Sequence, residues 1–139
     1  MLVGEYTHTI DNKGRIFMPA KLRASLGESF ILCKGIDECL WVYPLDSWAT
    51  FNSKLDSLSE IESRRVKRFF YASVSEMSPD SQGRIVLSES YRSFASLNGE
   101  ATIIGNSSRL EIWNPDKWRA EQEAVNNDEL VSTLIKLGF

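Results

Sequence analysis

Two arginines in this chain each follow a glycine directly and an aspartate by four positions, in Asp11-Asn12-Lys13-Gly14-Arg15 and Asp80-Ser81-Gln82-Gly83-Arg84. An aspartate can accept hydrogen bonds from the amides that follow it, and glycine supplies the positive φ of a tight turn. Such a loop brings a carboxylate and a guanidinium together. Two chemistries are open to it. In one, the ion pair only staples the loop, and an exposed pair of that kind contributes little. In the other, the carboxylate fixes the planar guanidinium fork, which is then presented to phosphate or to the guanine edge of a base pair. Local chemistry leaves both standing.

The loop is not alone in being doubled. Asp11 and Asp80, Arg15 and Arg84, and Arg23 and Arg92 are each 69 positions apart, while Leu40, Val42, Tyr43, Asp46 and Trp48 recur 70 positions later as Leu110, Ile112, Trp113, Asp116 and Trp118. The period is too long and too seldom repeated for a solenoid. It reads as two copies of one small βα module packed with pseudo-twofold symmetry. A half of some 50–70 residues would bury only about 60% of its unfolded surface, so the halves need each other or further subunits.

Several elements must hold these loops. Val3 to Ile10 is a β-favouring run and Arg15–Met18 resumes a strand. Pro19 opens a short helix that Gly27 stops. Phe30–Cys33 and Leu40–Tyr43 flank a Gly/Asp turn and read as a hairpin buried on both sides. Trp48, Phe51, Leu55 and Leu58 form one helical stripe. Ser59 and Glu62 resemble a capping box for a further helix, with Val66, Phe69 and Phe70 turned inward and Arg64, Arg65, Lys67 and Arg68 on its solvated face. The second copy repeats this order. Ser88 caps its first helix, and Asn114 caps a later one with Pro115 at the first helical position. Near the end, Leu130, Val131, Leu134 and Ile135 fall on one side of a helix expected to dock on its own subunit or a neighbour.

Composition excludes more than it selects. Sixteen Lys and Arg against 19 Asp and Glu give a net charge of −3, unlike the strongly basic domains that commonly bind DNA. Between Asp11 and Arg23, however, four cations (Lys13, Arg15, Lys21, Arg23) face one anion, and part of the acidity lies in the tail. With a single histidine and two cysteines, Cys and His alone cannot assemble a four-ligand zinc site. A turn centred on Ile36 would set Cys33 opposite Cys39, and both are expected to be packing thiols. His8 reads as a half-exposed strand residue. No enzymatic motif stands out, so the expected activity is not an enzyme's, and no cofactor or metal is expected. No signal peptide or membrane span is legible, so the cytosol is the expected compartment.

The run Gly4–Ile16 with Pro19-Ala20-Lys21-Leu22-Arg23 resembles the opening of the MraZ family of bacterial transcriptional regulators. So do Leu40–Leu45, the Arg64–Phe70 helix and Gln82-Gly83-Arg84-Ile85, in the right order over residues 1–120. The resemblance implies an α+β fold of two tandem AbrB-like swapped-hairpin modules, at 5–47 and 76–119, joined by helices over 48–72 and followed by a helical tail at 120–139. It implies a ring-shaped homo-oligomer, associated with the nucleoid, that binds double-stranded DNA at tandem repeats upstream of the division and cell-wall gene cluster. On that reading Arg15 and Arg84 are the main DNA contacts, with Lys13 and Gln82 beside them and Lys21 and Arg23 as further phosphate contacts. Asp11 and Asp80 orient the arginines, while Gly14 and Gly83 shape the loops. The second copy has Ser88 where a proline is usual in the family. A ring-shaped protein-interaction scaffold, its arginines meeting acidic side chains, is the alternative.

Overall fold

Each copy of the repeat keeps its own hairpin but pairs its first two strands with the other copy. In the computed structural model, which describes residues 1–139, the first copy contributes β1 (Glu5–Thr9), β2 (Arg15–Phe17), α1 (Ala20–Leu26), β3 (Phe30–Lys34) and β4 (Leu40–Pro44). Helices α2 (Leu45–Asp56) and α3 (Glu60–Tyr71) follow. The second copy contributes β5 (Ser75–Met77), β6 (Arg84–Val86), α4 (Glu89–Phe94), β7 (Glu100–Gly105) and β8 (Leu110–Trp113), with α5 (Pro115–Glu123) and α6 (Asn127–Ile135) completing the mixed α+β chain. A six-stranded antiparallel sheet runs β1-β7-β8-β4-β3-β5, so each copy's first strand lies on the other copy's hairpin. The second strands leave that sheet and pair with each other, β2 with β6.

The registers express the twofold relation. Ile16 lies opposite Ile85, its own counterpart in the repeat, and Leu40 and Val42 lie opposite Ile112 and Leu110. Exchanging the two copies maps each pairing onto itself. Strand alternation then splits the apolar residues between the two faces of the sheet. Leu40, Val42, Leu110 and Ile112 join Ile16, Ile85, Met18 and Leu87 in the core on the β2–β6 side. Trp41, Tyr43 and Trp113 point the other way, to Leu55, Phe70 and the partly buried Phe51 of the α2–α3 side. Burial of β3 and β4 on both faces is the pattern expected of their unbroken apolar runs.

The helix ends follow local chemistry. The Ser59 hydroxyl accepts from the Glu62 amide at 3.2 Å and meets the Glu62 carboxylate at 2.8 Å. Ser88 accepts from the Tyr91 amide at 3.3 Å, doing by side chain what Pro19 does by fixed φ in the first copy. Asn114 accepts from the amides of Asp116 and Lys117, with Pro115 at the first helical position.

Some apolar and cysteine placements differ from expectation. Gly35 pairs with Cys39 and Cys33 with Trp41, because the turn is centred on Asp37 rather than Ile36, with Asp37 and Glu38 both at positive φ. The cysteines are therefore diagonal neighbours, not opposites. Both are free and buried, and burial pushes each thiol up to about 12. Leu58 lies beyond the end of α2 and is exposed, as is Phe69 on α3, whose apolar residues Phe70 and Val66 turn inward. From Arg119 to Phe139 every residue is exposed, so the apolar stripe of α6 has no cover on its own subunit.

Ile16 is fully buried at the centre of the inter-copy pairing. Ile16→Ala should lower the unfolding free energy by about 2–5 kcal/mol, the usual range for a cavity of that size. Urea denaturation measures it, and a loss under 1 kcal/mol would mean that the pairing is not part of the cooperative core.

Candidate nucleic-acid interface

The two aspartate loops fold in the same way. Oδ1 of Asp11 accepts from the amides of Lys13 (3.0 Å) and Arg15 (2.9 Å), and Oδ2 accepts from Arg15 Nε at 2.6 Å. In the second loop, Asp80 Oδ1 accepts from Gln82 and Arg84 amides, both at 2.9 Å, and Oδ2 from Arg84 Nε at 3.0 Å. The carboxylate thus closes the turn and grips the arginine by its inner nitrogen. No protein group bonds to Nη1 or Nη2 of either arginine, so each guanidinium presents its outer edge to solvent already oriented. The backbone amide of the arginine is the main reason that each carboxyl sits below its ordinary value of 3.8.

Gly14 and Gly83 have φ of +79°, and they are crowded as well. A Cβ on Gly14 would lie 2.5 Å from the Leu87 carbonyl oxygen, and one on Gly83 would lie 2.9 Å from the Arg23 guanidinium carbon. The loops are locked across the twofold: Met18 N–H donates to the Gly83 carbonyl and Leu87 N–H to the Gly14 carbonyl, both at 2.8 Å. Arg23 and Arg92 reinforce the lock, with Nε donating to the carbonyls of Met18 (2.9 Å) and Leu87 (3.0 Å) respectively.

The pairing of β2 with β6 puts both arginines on one surface. Arg15 lies opposite Val86 and Phe17 opposite Arg84, so these four side chains share the outward face while Ile16 and Ile85 fill the inward one. Diagonal neighbours of this kind have Cα atoms about 7–8 Å apart. The result is a narrow two-stranded ribbon whose outer face carries two braced guanidinium groups with Phe17 and Val86, 37% and 53% exposed, between and beside them. Geometrically, a β-ribbon of this width fits the major groove of B-DNA.

Comparison with known proteins bears on what such a ribbon serves. The family model of the MraZ protein matches the chain twice, over residues 1–69 and 70–135. A protein of Desulfitobacterium hafniense (strain Y51) named Transcriptional regulator MraZ is 48% identical over 144 residues, covering all of both chains. Proteins of the same name from Caldicellulosiruptor saccharolyticus and Clostridium tetani are 42% and 38% identical, again over the full length of each. The chain belongs to the MraZ family.

The residues that the sequence offers for DNA contact gather at or beside the ribbon. Lys13 and Gln82 are exposed at the loop tips and Lys21 is exposed on the first turn of α1. Arg23 is half-buried, bonded to Met18 and packed against Gly83, so it positions the second loop whatever else it touches. His8 sits half-buried with its ring edge-on to Phe17 at 5.3 Å. Arg64, Arg65 and Arg68 are exposed on α3, beyond the sheet from the ribbon, and Lys67 pairs with Asp56 at 2.8 Å. Sequence reasoning missed Phe17 and Val86, although the alternation Arg15-Ile16-Phe17 already sets Phe17 on the side of Arg15.

Because the folded carboxyl values are depressed, the brace is complete above 3.8 and weakens as pH falls through the lower folded value. Carboxyl carbon NMR should place the midpoints of Asp11 and Asp80 below 3.8. Arg15→Ala should raise that of Asp11 only part of the way, since the amide leads. A midpoint at or above 3.8 in the native chain contradicts the brace.

Proposed function

We propose that the chain is a sequence-specific DNA-binding transcriptional regulator in which the β2–β6 ribbon enters the major groove. Arg15 and Arg84 read the major-groove edges of guanines there, and Lys13, Gln82 and Lys21 flank them. The observation that carries this reading is the doubled brace: two guanidinium groups on one outward face, each held by Nε and free at Nη1 and Nη2. Arginine forks of this kind match the O6/N7 edge of guanine. Phe17 and Val86 add apolar surface suited to thymine methyl groups. The exchange of first strands between copies accords with two AbrB-like swapped-hairpin modules. The names of the relatives support the regulatory role. The proposed targets are tandem repeats upstream of the chain's own division and cell-wall gene cluster, with the protein in the cytoplasm at the nucleoid.

A net charge of −3 disfavours binding by one subunit, and the proposed remedy is a ring-shaped homo-oligomer. The mutual contact of the two copies is used up inside the subunit, so assembly requires a different pair of faces, which either close into a ring or run on as a filament. The bare apolar residues of the α6 segment supply one such face: Leu130, Val131, Leu134 and Ile135 are 44–61% exposed. A nine-residue helix without cover is unstable alone. Several ribbons engaging successive repeats gain about 10²–10⁴ in avidity over one.

Arg15→Ala and Arg84→Ala should each abolish specific binding to the upstream DNA in a gel shift while leaving thermal stability nearly intact. Normal binding by both variants would exclude the ribbon and favour a protein-interaction scaffold. Lys13→Gln should lower the slope of log affinity against log salt by roughly 0.9 per contacting loop. An unchanged slope removes Lys13 from the interface. Light scattering should find a closed species larger than a dimer, and deletion of residues 126–139 should reduce its mass. A monomer in the intact chain contradicts the ring.

A further inference from the structure

On the side of the sheet away from the ribbon, α2 and the β7–β8 turn enclose a recess of about 270 Å³. Tyr43, Ser47, Thr50, Phe51, Lys54, Ser108 and Arg109 line it, and no carboxylate is among them. The wall is rich in unused donors. Of the five N–H groups of Arg109, Nε and Nη2 donate to the Glu111 carboxylate (3.4 and 3.2 Å), and Nη1 donates to the Tyr43 hydroxyl at 3.3 Å. Two N–H groups remain. The Tyr43 hydroxyl accepts from Arg109 and donates to no protein group, and the hydroxyls of Ser47 and Ser108 have no protein partner. Lys54 forms no ion pair. Ser47, Thr50 and Lys54 fall at three- and four-residue steps, on one face of α2.

Arg109 is also held in place. Its guanidinium carbon lies 3.9 Å from the centroid of the Trp41 ring, which is itself stacked on Phe70. Glu111 balances one positive charge from behind, and Lys54 leaves the recess with one in excess. A stacked, pre-oriented arginine beside an exposed, unpaired lysine and several hydroxyls is the chemistry that receives a tetrahedral oxyanion, because the planar fork matches two of its oxygens.

We propose that this recess binds the phosphate group of a small phosphorylated compound, between Arg109 and Lys54. The volume falls just under the range of about 300–1,000 Å³ for sites that enclose a whole ligand, so it takes the charged head and leaves the rest of the molecule outside. A DNA backbone phosphate is the other source of the same chemistry. The recess belongs to the α2–α3 side, whereas the ribbon closes the opposite core, and a duplex on the ribbon cannot reach through the sheet. The proposal stands whether or not the ribbon binds DNA.

The test is titration of the full-length chain with inorganic phosphate and with pyrophosphate at constant ionic strength. Tryptophan fluorescence reports on Trp41 and on Trp48, whose ring lies 5.6 Å from that of Tyr43, while amide shifts locate the site. Binding should saturate, with shifts at Ser47, Lys54 and Ser108. Lys54→Gln should weaken it about tenfold or more, the equivalent of one charge-assisted hydrogen bond. Ser108→Asp, which adds a repelling carboxylate, should do the same, both variants keeping the native melting temperature. The Arg15→Ala/Arg84→Ala double variant should bind phosphate as the native chain does, and a DNA duplex should not compete. Absence of saturable binding, indifference to both recess variants, or loss of binding with the ribbon arginines or on adding duplex would overturn the proposal.

Discussion

Ile16 and Ile85 face each other across β2 and β6, and neither is shielded from water unless the other copy is in place. That mutual burial draws the second strands out of the main sheet and makes a separate ribbon of them. Once the ribbon forms, the rest is constrained. Each loop carbonyl, Gly14 or Gly83, takes an amide from the opposite copy, and each glycine leaves room for a backbone or guanidinium group that any side chain would displace. The strand period then forces Arg15 and Arg84 onto the same outward surface. A one-residue slip would bury the arginines and expose the isoleucines, so the core and the candidate interface specify one another.

The aspartates orient the arginines that this scaffold presents. A free surface arginine loses considerable side-chain freedom on binding. Here that freedom is already restricted by a carboxylate that also closes the turn. The two roles considered from sequence, staple and orienter, are therefore not exclusive: Oδ1 mainly shapes the loop and Oδ2 aims the arginine. Membership of the MraZ family joins this geometry to relatives named transcriptional regulators, and the doubled arginine face supplies a physical reason for the proposed DNA contact.

Features governed by neighbours in the chain were legible before the structure. Ser88, Ser59 and Asn114 cap helices because a side-chain oxygen three residues or fewer from an amide needs little else. The repeat and the split apolar runs of β3 and β4 were equally readable. The exchange of β1 and β5 between hairpins was not readable from the residues themselves, since it depends on pairings about 95 residues apart for β1 and about 45 for β5. A turn centred on Ile36 sets Cys33 opposite Cys39, but the chain turns one residue later because Asp37 and Glu38 take positive φ, which their residue types do not announce. Arg109 looked ordinary because its significance lies in Trp41 and Tyr43, far away in the chain.

The central claim is that the paired arginines meet guanine edges in the major groove. Methylation interference on the proposed upstream repeats tests it most directly, because methylation at guanine N7 alters only the major-groove edge. The account predicts that N7 methylation of guanines within each repeat blocks binding by the native chain. Binding that tolerates N7 methylation throughout the repeats would contradict it.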